Sequence, residues 1–472
     1  MLFNSIEFLL FFPTVFLLYW LLQKDFKTQN ILLLVSSYIF YAWWDWRFLS
    51  LILISSIVDY IAGSQIFISK TRIQRRNWLL LSLIVNLGML SIFKYFNFFA
   101  ESFEDLVSIF GWQPNDLTLN IILPVGISFY TFQTLSYTID IYRKQFEPTK
   151  DVVAFFTYIA FFPQLVAGPI ERASNLLPQI EKKRLFRIEW FNAGVIQILI
   201  GLFRKIVIAD TLGAYVDSIY GNLGFHNSTT IILATFLYAF QIYYDFAGYS
   251  DIAIGTAKLL GFRFNRNFNL PYFSKSLTEF WRKWHMSLSY WLRDYLYISL
   301  GGNRKGIKIT YRNLMLTMLL GGLWHGSSWN FIVWGGIHGV VLSIEKFLNS
   351  RQYLEQIRKF SFPGYIITFL VVLLSWIFFR APDLDAATLA LKNIMEFDFS
   401  MPFVGNTNTI ASAAVFLFLG LLFDLYLFNN DIYLEDLGEK FSVLKISTIV
   451  SIVTVLMVLF YSTSENFIYF QF

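Results

Sequence analysis

Three of the four histidines, His285, His325 and His338, fall in one stretch, residues 280–339. It opens FWRKWHMSLSYWLRDYLYISLGGNRKG and closes LLGGLWHGSSWNFIVWGGIHG. Imidazole is the side chain best suited to take and return a proton near neutral pH. Long apolar segments flank the stretch, and an ionisable group at membrane depth is costly enough to mark a functional site by default. The competing chemistries lack their residues. There is no G-x-S-x-G elbow, no histidine with an acid four or five positions later, and no H-E-x-x-H metal site. Cysteine is absent, which excludes disulfides, thiolate metal ligands and a cysteine nucleophile. What remains is group transfer assisted by a general base. His325 is the first candidate for that role and His285 the second; no metal site is expected.

The neighbours of these histidines extend the site. Read as one helix from 281 to 300, the stretch places Arg282, His285, Ser289 and Arg293 within an arc of about 80°. Trp284, Leu288, Trp291 and Tyr295 take another face. Such a helix either lines a polar tunnel, its arginines gripping donor phosphates, or lies at the interface with arginines snorkelling to headgroups. The segment from Gly301 to Gly306 is a phosphate cradle or a plain turn; it lacks the P-loop ending. Gly321 and Gly322 precede Trp324 and His325, and paired glycines inside a helix allow close approach of backbone or substrate. His325 has a packing alternative, and His338 reads more readily as packing; His226 reads as a loop residue. Asp245 and Asp251 sit in an apolar segment, where they orient a histidine, pair with an arginine or form structural ion pairs that hold the bundle. The run PQLVAGPIER, 163–172, is a bend beside a cavity or a helix-end turn with Glu171 and Arg172 at the surface.

The elements that must position these residues are helices in lipid. The chain has 472 residues, 56% hydrophobic, 20% aromatic and 15% charged, well below the roughly 25% charge of soluble domains. Apolar segments fall at 5–22, 29–44, 48–69, 77–99, 121–142, 190–216, 230–257, 360–380, 409–428 and 446–463, each near the length that crosses about 30 Å of hydrocarbon. Aromatic or glycine-broken segments at 151–169, 280–300 and 313–345 read as buried, re-entrant or slanted. The fold expected is therefore all-α and polytopic, with about 10–12 crossings. The first segment lacks a basic leader and a cleavage site and reads as a retained helix, kinked at Pro13. The net charge of +5 fits basic cytoplasmic loops rather than nucleic-acid binding. Lys70, Arg72, Arg75 and Arg76 make one loop basic, while Glu101, Glu104, Asp105 and Asp116 make the next acidic. The positive-inside rule puts the first in the cytoplasm, with 182–187, 258–283, 304–312 and 351–359, and the N-terminus outside. Residues 381–472 read as further helices of the same bundle.

Two long blocks, FWRKWHMSLSYWLRDYLYISLGGNRKG and RNLMLTMLLGGLWHGSSWNFIVWGGIHG, resemble the signature region of the membrane-bound O-acyltransferases. PQLVAGPIER and YYDFAGYSDIAIGTAKLLGFRFNRNFNLPYFSKS resemble the blocks before it. The similarity spans residues 1–380, is strongest over 120–345, and is greatest to the bacterial branch of alginate and peptidoglycan O-acetylating membrane proteins. The resemblance implies a helical ring around a transmembrane tunnel, a catalytic histidine at His325 and a second motif histidine at His285. Arg282, Arg293, Ser289, Trp324 and Asp245 are the candidate substrate-binding residues beside them. It also implies an O-acetyltransferase of the bacterial inner membrane. No cofactor is bound, and acetyl-CoA is the cytoplasmic donor. The acyl group passes to an extracytoplasmic partner protein and a polysaccharide acceptor. D-alanyl transfer to a cell-wall polymer, a glycan transporter and a secretion scaffold are the alternatives.

Overall fold

The structure, a computed structural model, describes residues 1–112, 117–350, 361–439, 441–460 and 467–468. The expected acidic position Asp116 and the basic loop 351–359 lie outside the described residues. Helix is the regular secondary structure of the described residues, with no strand among them. Each of the ten apolar segments overlaps helix, and among the described residues six continuous stretches are long and apolar enough to cross a membrane. Two of these, 26–68 and 72–108, each join more than one helix. The protein is an all-α polytopic membrane protein, and its surface agrees. Leu9, Leu10, Leu17 and Leu21 of the first helix are largely exposed, while Gln29, Asn30, Asp59 and Asn86 are buried. Lipid is as apolar as leucine, so polar groups turn inward to find partners. Pro13 sits inside the helix Ile6–Leu21 without ending it.

The chain forms two compact units. The first comprises 1–188 and 256–265. Its helices start at caps legible in the sequence: Ser5 accepts from Phe8, Asp25 from Lys27, and Thr71 forms a capping box with Gln74. Buried polar side chains join the helices Leu49–Ile68 and Arg72–Leu90. The Asp59 carboxylate accepts from Ser82 Oγ at 2.5 Å and from Asn86 Nδ2 at 2.9 Å. The PQLVAGPIER run is a bend, as the prolines require, but Glu171 is not at the surface. It is fully buried and accepts from the Asn265 backbone at 2.5 Å and from Asn175 Nδ2 at 2.6 Å. The run is therefore an internal corner, because a segment 94 residues away in sequence supplies the donors.

The second unit comprises 189–255 and 266–472. It contains the long helix Ser228–Leu259, the histidine stretch, and the helices Ser361–Arg380, Leu384–Met395, Thr407–Asn429 and Val443–Phe460. Helices Ile307–His325 and Trp329–Ser350 pack against each other along most of their length. Glycine makes that contact possible: a Cβ on Gly322 would lie 2.1 Å from the Phe331 carbonyl oxygen, and one on Gly335 2.3 Å from that of Met318.

Candidate active site

The stretch from 281 to 300 is not one helix. A short helix, Leu277–Trp281, ends at Arg282, and a new one, Met286–Trp291, begins after His285. A π-helical turn follows over Leu292–Tyr297. His285 holds φ 41° and ψ 55°, the left-handed region that side chains avoid. The cause is Asn267. In a continuous helix the Met286 and Ser287 amides would bond carbonyls four residues back. Here the Met286 amide donates to the Asn267 carbonyl at 2.8 Å, and the Ser287 amide to Asn267 Oδ1 at 3.3 Å. Ser287 Oγ donates to the same Oδ1 at 2.8 Å, and Asn267 Nδ2 donates to Ser250 Oγ at 3.1 Å. The Lys283 carbonyl accepts from Asn269 instead, at 3.0 Å. The cationic arc is consequently broken: His285 is fully buried while Arg282 and Arg293 are exposed.

His325 is the last residue of helix Ile307–His325 and is 3% exposed. Its ring centre lies 5.0 Å from Trp324, 5.1 Å from Trp334 and 5.4 Å from Phe379, each edge-on. The His285 ring centre is 6.3 Å away. His285 itself meets Phe246 edge-on at 4.7 Å and Trp324 at 5.8 Å. Two imidazoles thus share a buried aromatic box, with Trp324 touching both. At this separation one substrate atom can come within hydrogen-bond reach, roughly 3 Å, of both rings. The indole N–H groups of Trp284 and Trp334 are buried with no acceptor among the described residues.

The other expected site residues are placed differently. Arg293 is paired with Asp294 at 2.6 Å and lies over the Tyr290 ring. Ser289 Oγ donates to the Trp284 carbonyl at 3.1 Å. Asp245 is buried, 2.7 Å from Lys205 Nζ, and accepts from the Ile468 amide at 3.0 Å. His338 is fully committed to packing. Trp281 Nε1 donates to its Nδ1 at 3.3 Å, so Nε2 carries the proton and donates to Ser375 Oγ at 3.1 Å. His226 sits half-buried in a turn. The Gly301–Gly306 segment is a turn pinned by Asn313, whose Nδ2 donates to the carbonyls of Leu300 and Gly302.

Sequence reasoning missed Asn267, Phe246, Lys205, Arg204, Phe467 and Ile468. Arg204 and Lys205 were findable, as adjacent cations inside the apolar segment 190–216. Asn267 lies in irregular chain with no periodicity to mark it. Phe467 stacks on Tyr249 at 4.6 Å and meets Phe246 at 5.7 Å. Nothing local in the sequence points to that contact, made across 218 residues (467 minus 249).

Residues 37–381 match the model of MBOAT, the membrane-bound O-acyltransferase family. The chain is 45% identical over 402 residues to the probable alginate O-acetylase AlgI of Pseudomonas aeruginosa, covering 84% of this chain and 75% of that one. It is 35% identical over 435 residues to the peptidoglycan O-acetyltransferase of Helicobacter pylori, covering 84% and 80%. A teichoic acid D-alanyltransferase of Bacillus subtilis is 28% identical over 271 residues, covering 54% and 68%.

Proposed function

The chain belongs to the membrane-bound O-acyltransferase family, a multi-pass membrane acyltransferase, and we propose that it transfers acetyl from cytoplasmic acetyl-CoA to an exported polysaccharide. An extracytoplasmic partner protein completes the delivery, and the bacterial inner membrane is the setting. The names of the Pseudomonas aeruginosa and Helicobacter pylori relatives support acetyl as the group and a glycan as the acceptor. The observation that carries the site assignment is the meeting of His285 and His325, 6.3 Å apart in a buried aromatic box.

In this reading His325 takes the proton of the acceptor hydroxyl as its oxygen attacks the thioester carbonyl carbon. His285 donates a hydrogen bond to the oxyanion that forms. The Trp334 indole N–H, buried and without an acceptor among the described residues, supplies a second donor beside His325. When the carbon–sulfur bond breaks, the leaving thiolate recovers the proton from His325. Aromatic walls keep water from competing for the acyl group.

The test is acyl content of the exported polymer, with membrane levels of each variant measured beside it. General-base assistance contributes roughly 10²–10⁴-fold, so His325→Ala abolishes or nearly abolishes transfer in a protein that still inserts. His285→Ala impairs it, and His226→Ala is silent. Normal acylation by a well-expressed His325→Ala protein would return the chain to the transporter or scaffold reading. Alanine in place of acetyl on the polymer would establish D-alanyl transfer instead.

A further inference from the structure

A second polar site lies in the first unit, where helix Leu49–Ile68 passes through 69–71 into helix Arg72–Leu90. A recess of about 1110 Å³ opens there, and the turn after helix Ile127–Tyr142 forms its other wall. Four cations line it, Lys70, Arg72, Arg75 and Lys144, against one carboxylate, Glu147. None of these five makes an ion pair among the described residues.

The Arg75 guanidinium is held in place, and the backbone of Lys144 is fixed beside it. Arg75 Nη2 donates to the Tyr142 carbonyl at 2.6 Å and reaches that of Ile141 at 3.5 Å, and its guanidinium lies over the Tyr142 ring at 5.4 Å. It thereby satisfies carbonyls that a helix C-terminus leaves open and complements the negative end of the helix dipole. Lys144 sits at φ +61°, a left-handed position in a turn closed by its own amide on Ile141 and that of Gln145 on Asp140. Glycine fills such positions without strain; lysine keeps a cation at the recess in spite of it.

The surroundings indicate what the cations meet. The flanking stretches 26–68 and 72–108 are both candidate membrane spans, so the recess falls where apolar helix gives way to polar chain. Phe67, Ile68 and Ile73 beside it are 54%, 63% and 67% exposed, as side chains in lipid are. Arginine and lysine clustered at that boundary suit a phosphate. We propose that this recess is a phosphate-binding site at the membrane surface, taking either the headgroup of an anionic phospholipid or the phosphates of a soluble ligand. It stands independently of the histidine assignments.

The test uses the full chain, purified and titrated with phosphatidylglycerol, phosphatidylcholine, inorganic pyrophosphate and 3′,5′-adenosine diphosphate, with binding read by native mass spectrometry. Arg75→Gln and Lys144→Gly each weaken binding of the phosphate probe by about fivefold. Lys144→Gly also leaves the Tm unchanged or higher, since it relieves the left-handed strain while removing the charge. Arg76→Gln, which removes an exposed cation that does not line the recess, leaves binding intact. Saturable phosphatidylglycerol binding without displacement by the soluble probes identifies a lipid site; displacement identifies a soluble phosphate ligand. Binding that falls equally in Arg76→Gln, or that never saturates, means a diffuse basic surface of the kind that sets topology, and overturns the proposal.

Discussion

Asn267→Ala is the perturbation that separates a shaped catalytic turn from a helix that merely happens to break. Asn267 is 1% exposed, and its side chain makes three hydrogen bonds, to Ser250 Oγ, the Ser287 amide and Ser287 Oγ. Each contributes about 0.5–1.5 kcal/mol net, so the latch is worth roughly 2–4 kcal/mol. Part of that offsets the left-handed backbone of His285, which costs on the order of 1–2 kcal/mol. The Met286 amide still reaches the Asn267 backbone carbonyl after the substitution, so the turn loosens rather than collapses. With about half of the lost energy falling on the transition state, kcat falls roughly 5- to 30-fold, since 1.4 kcal/mol is tenfold. Donor KM changes little, because the residue acts through His285. Ser250→Ala removes one bond of the three and gives a smaller fall. The assay is initial acyl transfer by purified protein, with thermal unfolding of each variant alongside. An Asn267→Ala protein that is folded and turns over at the wild-type rate would refute the idea that the geometry of His285 matters.

Other outcomes follow from the same geometry. Arg293→Gln leaves kcat unchanged, because the side chain is exposed and already paired with Asp294; a raised donor KM in it or in Arg282→Gln marks a phosphate grip, and an unchanged KM marks interfacial arginines. A reporter fused after Arg76 reads cytoplasmic and one after Asp116 extracytoplasmic, the basic and acidic loops facing opposite sides; the reverse pattern removes the cytoplasmic donor from the proposal. Gly322→Ala drives a Cβ to 2.1 Å from the Phe331 carbonyl oxygen and prises the His325 helix from its neighbour. At about 1–3 kcal/mol or more, that loss appears as a lower Tm and less protein in the membrane. Gly88→Ala, with nothing within 4 Å, shows neither.

The helices were legible because lipid imposes a one-dimensional signal, about twenty apolar residues at a time. The WHG and RKWH histidines were legible because a buried imidazole is costly enough to need a reason. The path of the chain around His285 was not. Periodicity assumes that every amide bonds four residues back, and the 281–300 arc failed when Asn267 and Asn269 took over two of those bonds. Glu171 misled for the same reason: beside Arg172 it reads as a surface pair, yet its partners Asn175 and Asn265 make it an interior acceptor. Partners brought by tertiary structure leave no mark on local sequence, whereas glycines at close contacts do. Gly322, which with Gly321 reads as a place where backbone or substrate approaches closely, meets the Phe331 carbonyl.

Asp245, expected at the substrate, is better understood through the helix that carries it. Helix Ser228–Leu259 presents Asp245 to Lys205 at 2.7 Å and Asp251 to Arg204 at 2.6 Å, and Arg204 also holds Asp424 at 2.8 Å. A buried ion pair of this kind adds little stability over apolar packing, but breaking one partner away costs about 3–5 kcal/mol. Such pairs therefore fix register more than they add strength. Gly248 sharpens the constraint: a Cβ there would lie 2.6 Å from the Gly201 carbonyl oxygen, so the two segments meet in one alignment. Phe246, next in sequence to Asp245, is the ring that meets His285 edge-on. The carboxylate thus acts at one remove, holding the wall against which the imidazole rests. It also receives the Ile468 amide, which sets Phe467 against Phe246. A strained histidine turn is stable in such a place because the elements around it cannot slide, and strain of that kind persists where the surroundings over-determine it.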